Sequence, residues 1–334
     1  MRCYNIPIFV PHEGCPFDCI FCNQRKITGQ DTKATREEVF TIIEEHLKTL
    51  PECEKYVEAA FFGGSFTGIS AQKQCELLGA AKEFVDLGKI QGIRLSTRPD
   101  YISEEILDRL KEYGVTTIEL GVQSMDDDVL KKASRGHTKE DVIYASHLIK
   151  EYGFRLGLQM MTGLPGDTPE KAIETAGSII SLKPEFVRIY PTLVLKETKL
   201  EALYKNGKYL PQTVEEAANL CKELIKMFRK ADIEIIRVSL VTTEEISEKG
   251  AVVAGPYHPA FRELAEGEIY FDEMVKLIEN DQTVRTFLVN PKEISKAVGN
   301  KRRNILRIKE KYGFWIDIKP DATIDAGKIK VWKE

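Results

Sequence analysis

Three cysteines near the start of the chain stand at a spacing that suits metal ligation. They are Cys15, Cys19 and Cys22, in the pattern C-x3-C-x2-C. Each iron of a cubane 4Fe-4S cluster takes one ligand, usually a cysteine thiolate. A loop that offers three thiolates therefore leaves one iron open, and the spacing predicts a cluster that can bind a small molecule.

A structural zinc site and disulfide bonds fit the same cysteines less well. Zinc usually takes four ligands in two pairs of the C-x2-C kind, and Cys3 and His12 form no second pair. Seven cysteines are an odd count, and the first residues contain no long apolar signal segment, which argues against disulfides. Cys53, Cys75 and Cys221 stand alone and are expected to be small buried side chains or thiols without a role.

The cysteine spacing resembles that of the radical S-adenosylmethionine (SAM) superfamily. The resemblance implies that the amino and carboxylate groups of SAM chelate the open iron. It also implies that an electron from the cluster cleaves the sulfonium to form a 5'-deoxyadenosyl radical, and that a flavodoxin or ferredoxin supplies the electron. Reduced cytosol suits such a cluster, so a cytoplasmic location is expected.

Short β-branched runs alternate with longer amphipathic segments over the first two thirds of the chain. The predicted strands are 4–9, 56–62, 93–96, 116–121, 155–160 and 186–190. The predicted helices, several of them after a capping Ser, Thr or Asp, are 36–50, 71–87, 104–113, 139–152 and 169–182. This alternation predicts an α/β fold with a parallel sheet, curled into a partial (β/α)6 barrel. Residues 1–240 are expected to form this core domain, and residues 241–334 a small C-terminal α/β module that docks substrate or RNA.

Several glycines and polar residues lie at the ends of the predicted strands or just after them, at the edge where parallel sheets bind ligands. They are Gly63, Gly64, Ser65, Ser96, Gln123 and Gln159. Glycines let backbone carbonyls approach a bound ammonium closely, although a tight turn between strand and helix would have the same sequence. A buried amide such as that of Gln123 can hydrogen-bond ribose or carboxylate oxygens.

Two further residues are candidates for cofactor contact. The guanidinium of Arg135 suits the carboxylate of methionine, although a lone arginine also often forms a surface ion pair. Phe21, next to Cys22, can pack on adenine or belong to the core.

Longer runs of sequence resemble the catalytic subunit of elongator. These runs are 96–101, 119–124, 135–138, 188–194 and 198–209, within a resemblance that covers roughly residues 55 to 240. That family modifies the wobble uridine of tRNA at carbon 5, so the resemblance implies tRNA as the partner. A more distant likeness, in 121–124 and 163–166, is to oxygen-independent coproporphyrinogen oxidase. It implies SAM contacts at Gly64, Ser65, Ser96, Gln123, Arg135 and Gln159.

Two features depart from elongator. Elongator spaces its cluster cysteines more widely, and its subunit carries an acetyltransferase-like domain for which 334 residues leave no room. Carboxymethylation by the elongator route is therefore not expected, and another group donor or another substrate is required.

The last third of the sequence contains one candidate for phosphate binding. The formal net charge is −4, so a polyanion would have to be met by a local patch. Residues 300–311 carry six basic residues against one acidic residue, which indicates either a solvated helix face or a phosphate-binding surface. His258, in a proline-rich turn, is either a proton shuttle or structural.

The sequence as a whole predicts a radical SAM enzyme that acts on tRNA. One alternative is a small-molecule radical enzyme with a closed pocket, in the style of the porphyrin-pathway oxidase. Another is a non-catalytic RNA-binding protein, which would need a fourth protein ligand on its cluster. No run of apolar residues approaches the roughly 20 needed to span a membrane. No catalytic residue, substrate or transferred group follows from the sequence.

Overall fold

The computed structural model describes residues 2–10, 19–23, 34–240, 246–247 and 250–332. The chain forms two compact units. Unit 1 comprises Met1–Pro211 and Met227–Gly255, and unit 2 comprises Gln212–Lys226 and Pro256–Glu334.

Unit 1 is built on a curled sheet of seven parallel strands in the order β1-β2-β3-β4-β5-β6-β8. These strands are β1 (Arg2–Val10), β2 (Lys55–Gly63), β3 (Gly92–Thr97), β4 (Val115–Gln123), β5 (Arg155–Thr162), β6 (Phe186–Pro191) and β8 (Glu234–Val238). The sheet confirms the predicted α/β fold with a partial barrel, and β8 joins the six expected strands as the seventh.

Helices follow the strands of this sheet, as the alternation predicted. They are α1 (Arg36–Thr49), α2 (Ala71–Asp86), α3 (Glu104–Glu112), α4 (Asp127–Lys132), α5 (Lys139–Glu151), α6 (Pro169–Leu182) and α7 (Lys199–Lys205). Thr35 and Thr138 each begin a helix with a capping box. The threonine side chain accepts a hydrogen bond from the backbone amide three residues later, and the acidic side chain of that later residue accepts one from the backbone amide of the threonine. The helices bury apolar faces, and residues such as Ile43, Leu77 and Leu107 are fully buried.

Two short strands complete unit 1. Strands β7 (Val194–Leu195) and β9 (Val252–Ala254) pair in an antiparallel ribbon. They were not predicted, because two or three residues are too few to show an alternating pattern.

Unit 2 contains a three-stranded sheet in the order β11-β10-β12. Its elements are the first residues of α8 (Val214–Lys230), then α9 (Phe261–Asn280), β10 (Thr286–Val289), α10 (Ile294–Val298), α11 (Arg303–Tyr312), β11 (Asp317–Pro320) and β12 (Ile329–Val331). The apolar core of this unit includes Met274, Phe287 and Ile308, each fully buried. The predicted C-terminal α/β module is therefore present. The longest element of unit 2 is helix α9, which has 20 residues and which the sequence did not predict.

None of the helices in the described parts of the chain has the length and apolar composition needed to cross a membrane.

Candidate active site

A cavity of about 620 Å³ opens inside the half-barrel of unit 1, and all seven strands or the segments that follow them contribute to its wall. Its wall includes every described residue that the sequence placed in the site. These are Cys19, Phe21, Cys22, Gly63, Gly64, Ser65, Ser96, Gln123, Arg135 and Gln159. Cys15 lies outside the described residues. The predicted residues come from six separate segments of the chain, so the fold brings them to one place.

The segment that carries two of the cysteines is fixed at the rim of the cavity by backbone hydrogen bonds. Ile20 donates to the carbonyl of Ala133 over 3.2 Å and accepts from the amide of Leu200 over 2.8 Å. The amide of Cys22 donates to the carbonyl of Cys19 over 3.0 Å, which closes a turn between the two thiols. Neither cysteine forms a disulfide. The turn therefore places Cys19 and Cys22 near each other in the cavity wall.

Phe21, inside the same turn, contacts both the apolar core and the cavity. It packs against buried Ile20 and Leu200, and against buried Val129 and Leu164, and it also lines the cavity. Both of its predicted roles, core aromatic and cofactor contact, are compatible with this position.

Arg135 links the cysteine turn to the end of β4. Its Nη1 lies 3.5 Å from the Sγ atom of Cys19, and its Nη2 donates to the carbonyl of Gly121 over 2.8 Å. The side chain is buried, and its Nε atom has no hydrogen-bond partner among the described residues. A buried guanidinium with an unused donor beside a thiol is a suitable partner for an anionic ligand.

The ends of β4 and β5 are joined by a pair of amides. Gln159 Nε2 donates to Gln123 Oε1 over 3.1 Å. Gln123 has a left-handed backbone with φ of 66°, and the pairing of β4 with β5 shifts register between Gly121 and Gln123. Such a bulge redirects the side chain at the end of a strand, and left-handed residues of this kind concentrate at functional sites.

Hydroxyl groups connect the loops after β2 and β3. Ser65 Oγ lies 2.8 Å from Thr97 Oγ1 and accepts from the backbone amide of Arg98 over 3.2 Å. Thr97 Oγ1 is also 2.5 Å from Thr67 Oγ1. Ser65 thereby fixes the glycine loop against β3. Thr97, which also lines the cavity, was not among the predicted site residues.

His137 is a buried neighbour of this site. Its Nε2 lies 3.1 Å from the carbonyl oxygen of Val122. Burial, together with the positive charges of Arg135 and Arg98, lowers the pKa of His137 to about 3. The imidazole is therefore neutral at pH 7 and adds no charge beside the two arginines.

The family of the chain follows from comparison with known proteins. Residues 9–179 match the radical SAM superfamily, and residues 184–270 match the radical SAM C-terminal domain. The chain belongs to the radical SAM superfamily.

The chain is similar to parts of longer proteins. One is the tRNA uridine(34) acetyltransferase of Dehalococcoides mccartyi, 38% identical over 36% of this chain and 27% of that protein. Another is the human Elongator complex protein 3, 35% identical over 42% of this chain and 26% of that protein. Each match thus spans less than a third of the relative.

A solved structure extends the likeness in fold over almost the whole chain. The archaeal Methanocaldococcus infernus Elp3 with an N-terminal deletion superposes with a TM-score of 0.62, covering 94% of this chain and 68% of that one. The sequence identity is 22%, so this likeness shows the fold alone.

The cavity wall also includes two charged residues that the sequence did not predict, Glu119 and Arg188. Glu119 Oε1 lies 2.9 Å from Arg94 Nη1, and Glu119 Oε2 lies 2.6 Å from Arg188 Nε. Arg94 bonds Glu58 as well, over 2.7 Å. The sequence contains a signal for these charged residues. Each of them interrupts an apolar strand, and the strands of a parallel sheet are expected to be buried on both faces.

The glycine loop of the radical SAM barrel has a backbone requirement of its own. Gly63 has φ of +108°, and a Cβ at this position would lie 2.8 Å from the carbonyl oxygen of Val10 on β1. Because that oxygen belongs to a sheet strand, it has little freedom to move. The tight-turn interpretation therefore accounts for Gly63, although Gly63 and Gly64 both line the cavity.

We expect Gly63→Ala to reduce the free energy of unfolding by roughly 2 kcal/mol or more. Two unfavourable effects add together, namely the backbone strain of a positive φ and the close contact of the new Cβ with Val10. Gly88→Ala is the control, because Gly88 has φ of +67° with nothing within 4 Å of a Cβ, so only strain applies. Urea unfolding of the two variants measures the difference. Equal losses of stability would mean that the contact with Val10 is unimportant.

Proposed function

We propose that this chain is a radical SAM enzyme that modifies tRNA at or near the wobble uridine. The observation that carries the radical SAM part is the position of Cys19 and Cys22 at the rim of a strand-end cavity, next to the buried guanidinium of Arg135. The tRNA part is supported by the relatives, one of which is named tRNA uridine(34) acetyltransferase.

The residues present fit a cluster and SAM. Cys19 and Cys22 are thiols on one turn, and Arg135 leaves a buried Nε–H without a partner among the described residues. Among the described residues no group of three or more metal-ligating side chains occurs, and Cys15 is proposed as the third ligand. When bound, the cluster would supply the electron that cleaves SAM to methionine and a 5'-deoxyadenosyl radical.

The chain's own residues would bind and orient the cofactor. We propose that Arg135 binds the carboxylate of the methionine moiety through its unused donor, and that the Gly63–Gly64 loop accepts the amino group through backbone carbonyls. The amides of Gln123 and Gln159, with Ser65 and Ser96, would hold the ribose, and Phe21 would pack on adenine. Apolar side chains that also line the cavity would exclude water from the reacting atoms; these are Phe9, Phe62, Met161, Leu193 and Leu195.

The basic run at 300–311 is a weaker RNA surface than its composition indicates. Arg303 pairs with Glu215 over 2.9 Å, Arg307 with Glu268 over 2.8 Å, and Lys311 with Glu279 over 3.2 Å. Three of the six basic side chains are thus already neutralised, which favours the solvated-face interpretation.

His258 lies shortly before α9 in the sequence. Its Nδ1 atom accepts a hydrogen bond from the amide of Ala260 over 3.0 Å, and the residue does not line the cavity. Both observations favour a structural role for His258.

The outer face of the unit 2 sheet is a better candidate for RNA contact. Leu288 on β10 pairs in register with Lys319 on one side and with Lys330 on the other. Trp332 lies two residues after Lys330, on the same face, and Lys319 Nζ is 5.9 Å from its ring centroid. The Trp332 side chain is 51% exposed. An exposed aromatic between lysines suits the stacking of an unpaired base beside a phosphate backbone.

The proposed function is tested on tRNA itself. Mass spectrometry of tRNA nucleosides from a strain that lacks the gene should show the loss of one modified uridine. Complementation with the wild type should restore it, and complementation with Cys19→Ala should not. An unchanged nucleoside profile in the deletion strain would remove tRNA as the substrate.

Binding of tRNA to the purified protein should depend steeply on salt, because each neutralised phosphate releases counterions. We expect the double variant Lys319→Glu and Lys330→Glu to weaken binding by roughly tenfold or more and to flatten the salt slope by about two. Arg302→Glu is the control, since Arg302 makes no ion pair among the described residues and lies before α11. Gel-shift titrations in which the control loses as much affinity as the double variant would shift the RNA site to the 300–311 run.

A further inference from the structure

Two arginines on neighbouring strands face the cavity at the end of the sheet away from β1. Arg188 on β6 and Arg237 on β8 are register partners, and both line the cavity. None of the residues proposed to hold the cluster or SAM lies on β6 or β8. The wall formed by these two strands is therefore available to a second ligand.

Four charged side chains on β2, β3, β4 and β6 balance one another inside the barrel. Glu58 and Glu119 pair with Arg94, and Glu119 also pairs with Arg188. Two carboxylates and two guanidinium groups thus form one neutral, largely buried network.

Arg237 is a positive charge in excess of this network. Within the described part of the chain its side chain makes no ion pair or hydrogen bond, and it is half-buried at the cavity wall. Partial desolvation of a guanidinium without a counter-charge is unfavourable, and an anion that binds there removes the penalty.

We propose that Arg188 and Arg237 form an oxyanion site that holds a carboxylate or phosphate group of the substrate inside the barrel. Arg237 supplies the net charge, and its planar fork suits two oxygens of one group. Arg188 is held by Glu119 and lies beside Arg237 on the neighbouring strand. Only the statement that the ligand is the substrate rests on the proposed function. Binding of the anion itself needs neither cluster nor radical.

The test uses thermal unfolding of the full chain without a reconstituted cluster, so that it is independent of radical chemistry. Sodium phosphate and sodium malonate are compared with sodium chloride at matched ionic strength. We expect both oxyanions to raise the unfolding midpoint of the wild type. The ratio of the two effects distinguishes a phosphate ligand from a carboxylate ligand.

Arg237→Gln should weaken the apparent affinity for the more effective anion by at least tenfold. In chloride alone the same variant should unfold at the wild-type temperature or above it, because it removes an uncompensated charge. Arg237→Lys should retain part of the effect, since it keeps the charge and loses the fork. Arg302→Gln, at an exposed arginine of unit 2, is the matched control and should behave as the wild type.

Three results would overturn the proposal. The first is a wild type whose midpoint responds to neither oxyanion beyond chloride. The second is an equal response in the wild type and in Arg237→Gln. The third is a marked loss of stability of Arg237→Gln in chloride, which would assign Arg237 to a structural ion pair instead. None of them bears on SAM cleavage, so the radical SAM proposal would stand or fall separately.

Discussion

Cys19→Ala is expected to abolish both iron binding and cleavage of SAM. The wild type, reconstituted anaerobically, should bind about four irons per chain and, with a reductant, form 5'-deoxyadenosine and methionine. Cys19 is the buried thiol of the cysteine turn and lies next to Arg135. With one of three thiolates missing, the cluster would lose a ligand that no neighbouring described cysteine can replace.

The control for this prediction is Cys53→Ala, because Cys53 is an exposed thiol that does not line the cavity. It should keep the iron content and the cleavage rate of the wild type. Iron and sulfide analysis with chromatography of 5'-deoxyadenosine measures both variants. Wild-type turnover in Cys19→Ala would mean that the C-x3-C-x2-C run is not the cluster site.

The fold of unit 1 could be predicted from sequence because its signals are local and repeated. The strands of the barrel are short runs rich in apolar residues, and helices such as α1 and α5 start at a threonine with an acidic residue three positions later. The positions after the strands then had to meet at one edge of the sheet, since all seven strands run parallel.

Helix α9 could not be recognised in the same way. It begins after Ala260, which provides no side-chain cap, so the usual start signal is missing. Glu266 and Glu268 are both buried, although they are two positions apart and therefore lie on different sides of the helix. Buried carboxylates on two sides obscure the single apolar stripe by which a helix is recognised.

The same limit applies to charge in the cavity and on the surface. The sequence shows six basic residues at 300–311 but not that glutamates distant in sequence, such as Glu215 and Glu279, neutralise some of them. It shows Arg188 and Arg237 as single charges in two strands, and only the register of β6 with β8 places them side by side. Net charge at a site depends on pairing between distant segments, which local patterns do not encode.

Gly121→Ala is expected to weaken SAM binding by roughly 10- to 100-fold while leaving the protein folded. A Cβ at position 121 would lie 2.7 Å from Arg135 Nη2 and 2.9 Å from Gln123 Nε2. Both atoms are the ends of flexible side chains, and Gly121 does not have positive φ, so the backbone can accept alanine. The guanidinium would move from the proposed carboxylate position, and a lost hydrogen bond to a charged group is worth about 1.5–3 kcal/mol.

Gly177→Ala is the matched control for Gly121→Ala. Gly177 lies within α6 with nothing within 4 Å of a Cβ, so alanine should leave SAM binding unchanged and stabilise the helix by about 0.5–1 kcal/mol. Isothermal titration of SAM into anaerobically reconstituted protein gives the affinities, and iron analysis shows whether the cluster is intact. Because the cysteines are untouched in both variants, their iron content should equal that of the wild type. A Gly121→Ala protein with full iron and wild-type affinity for SAM would place the methionine carboxylate away from Arg135.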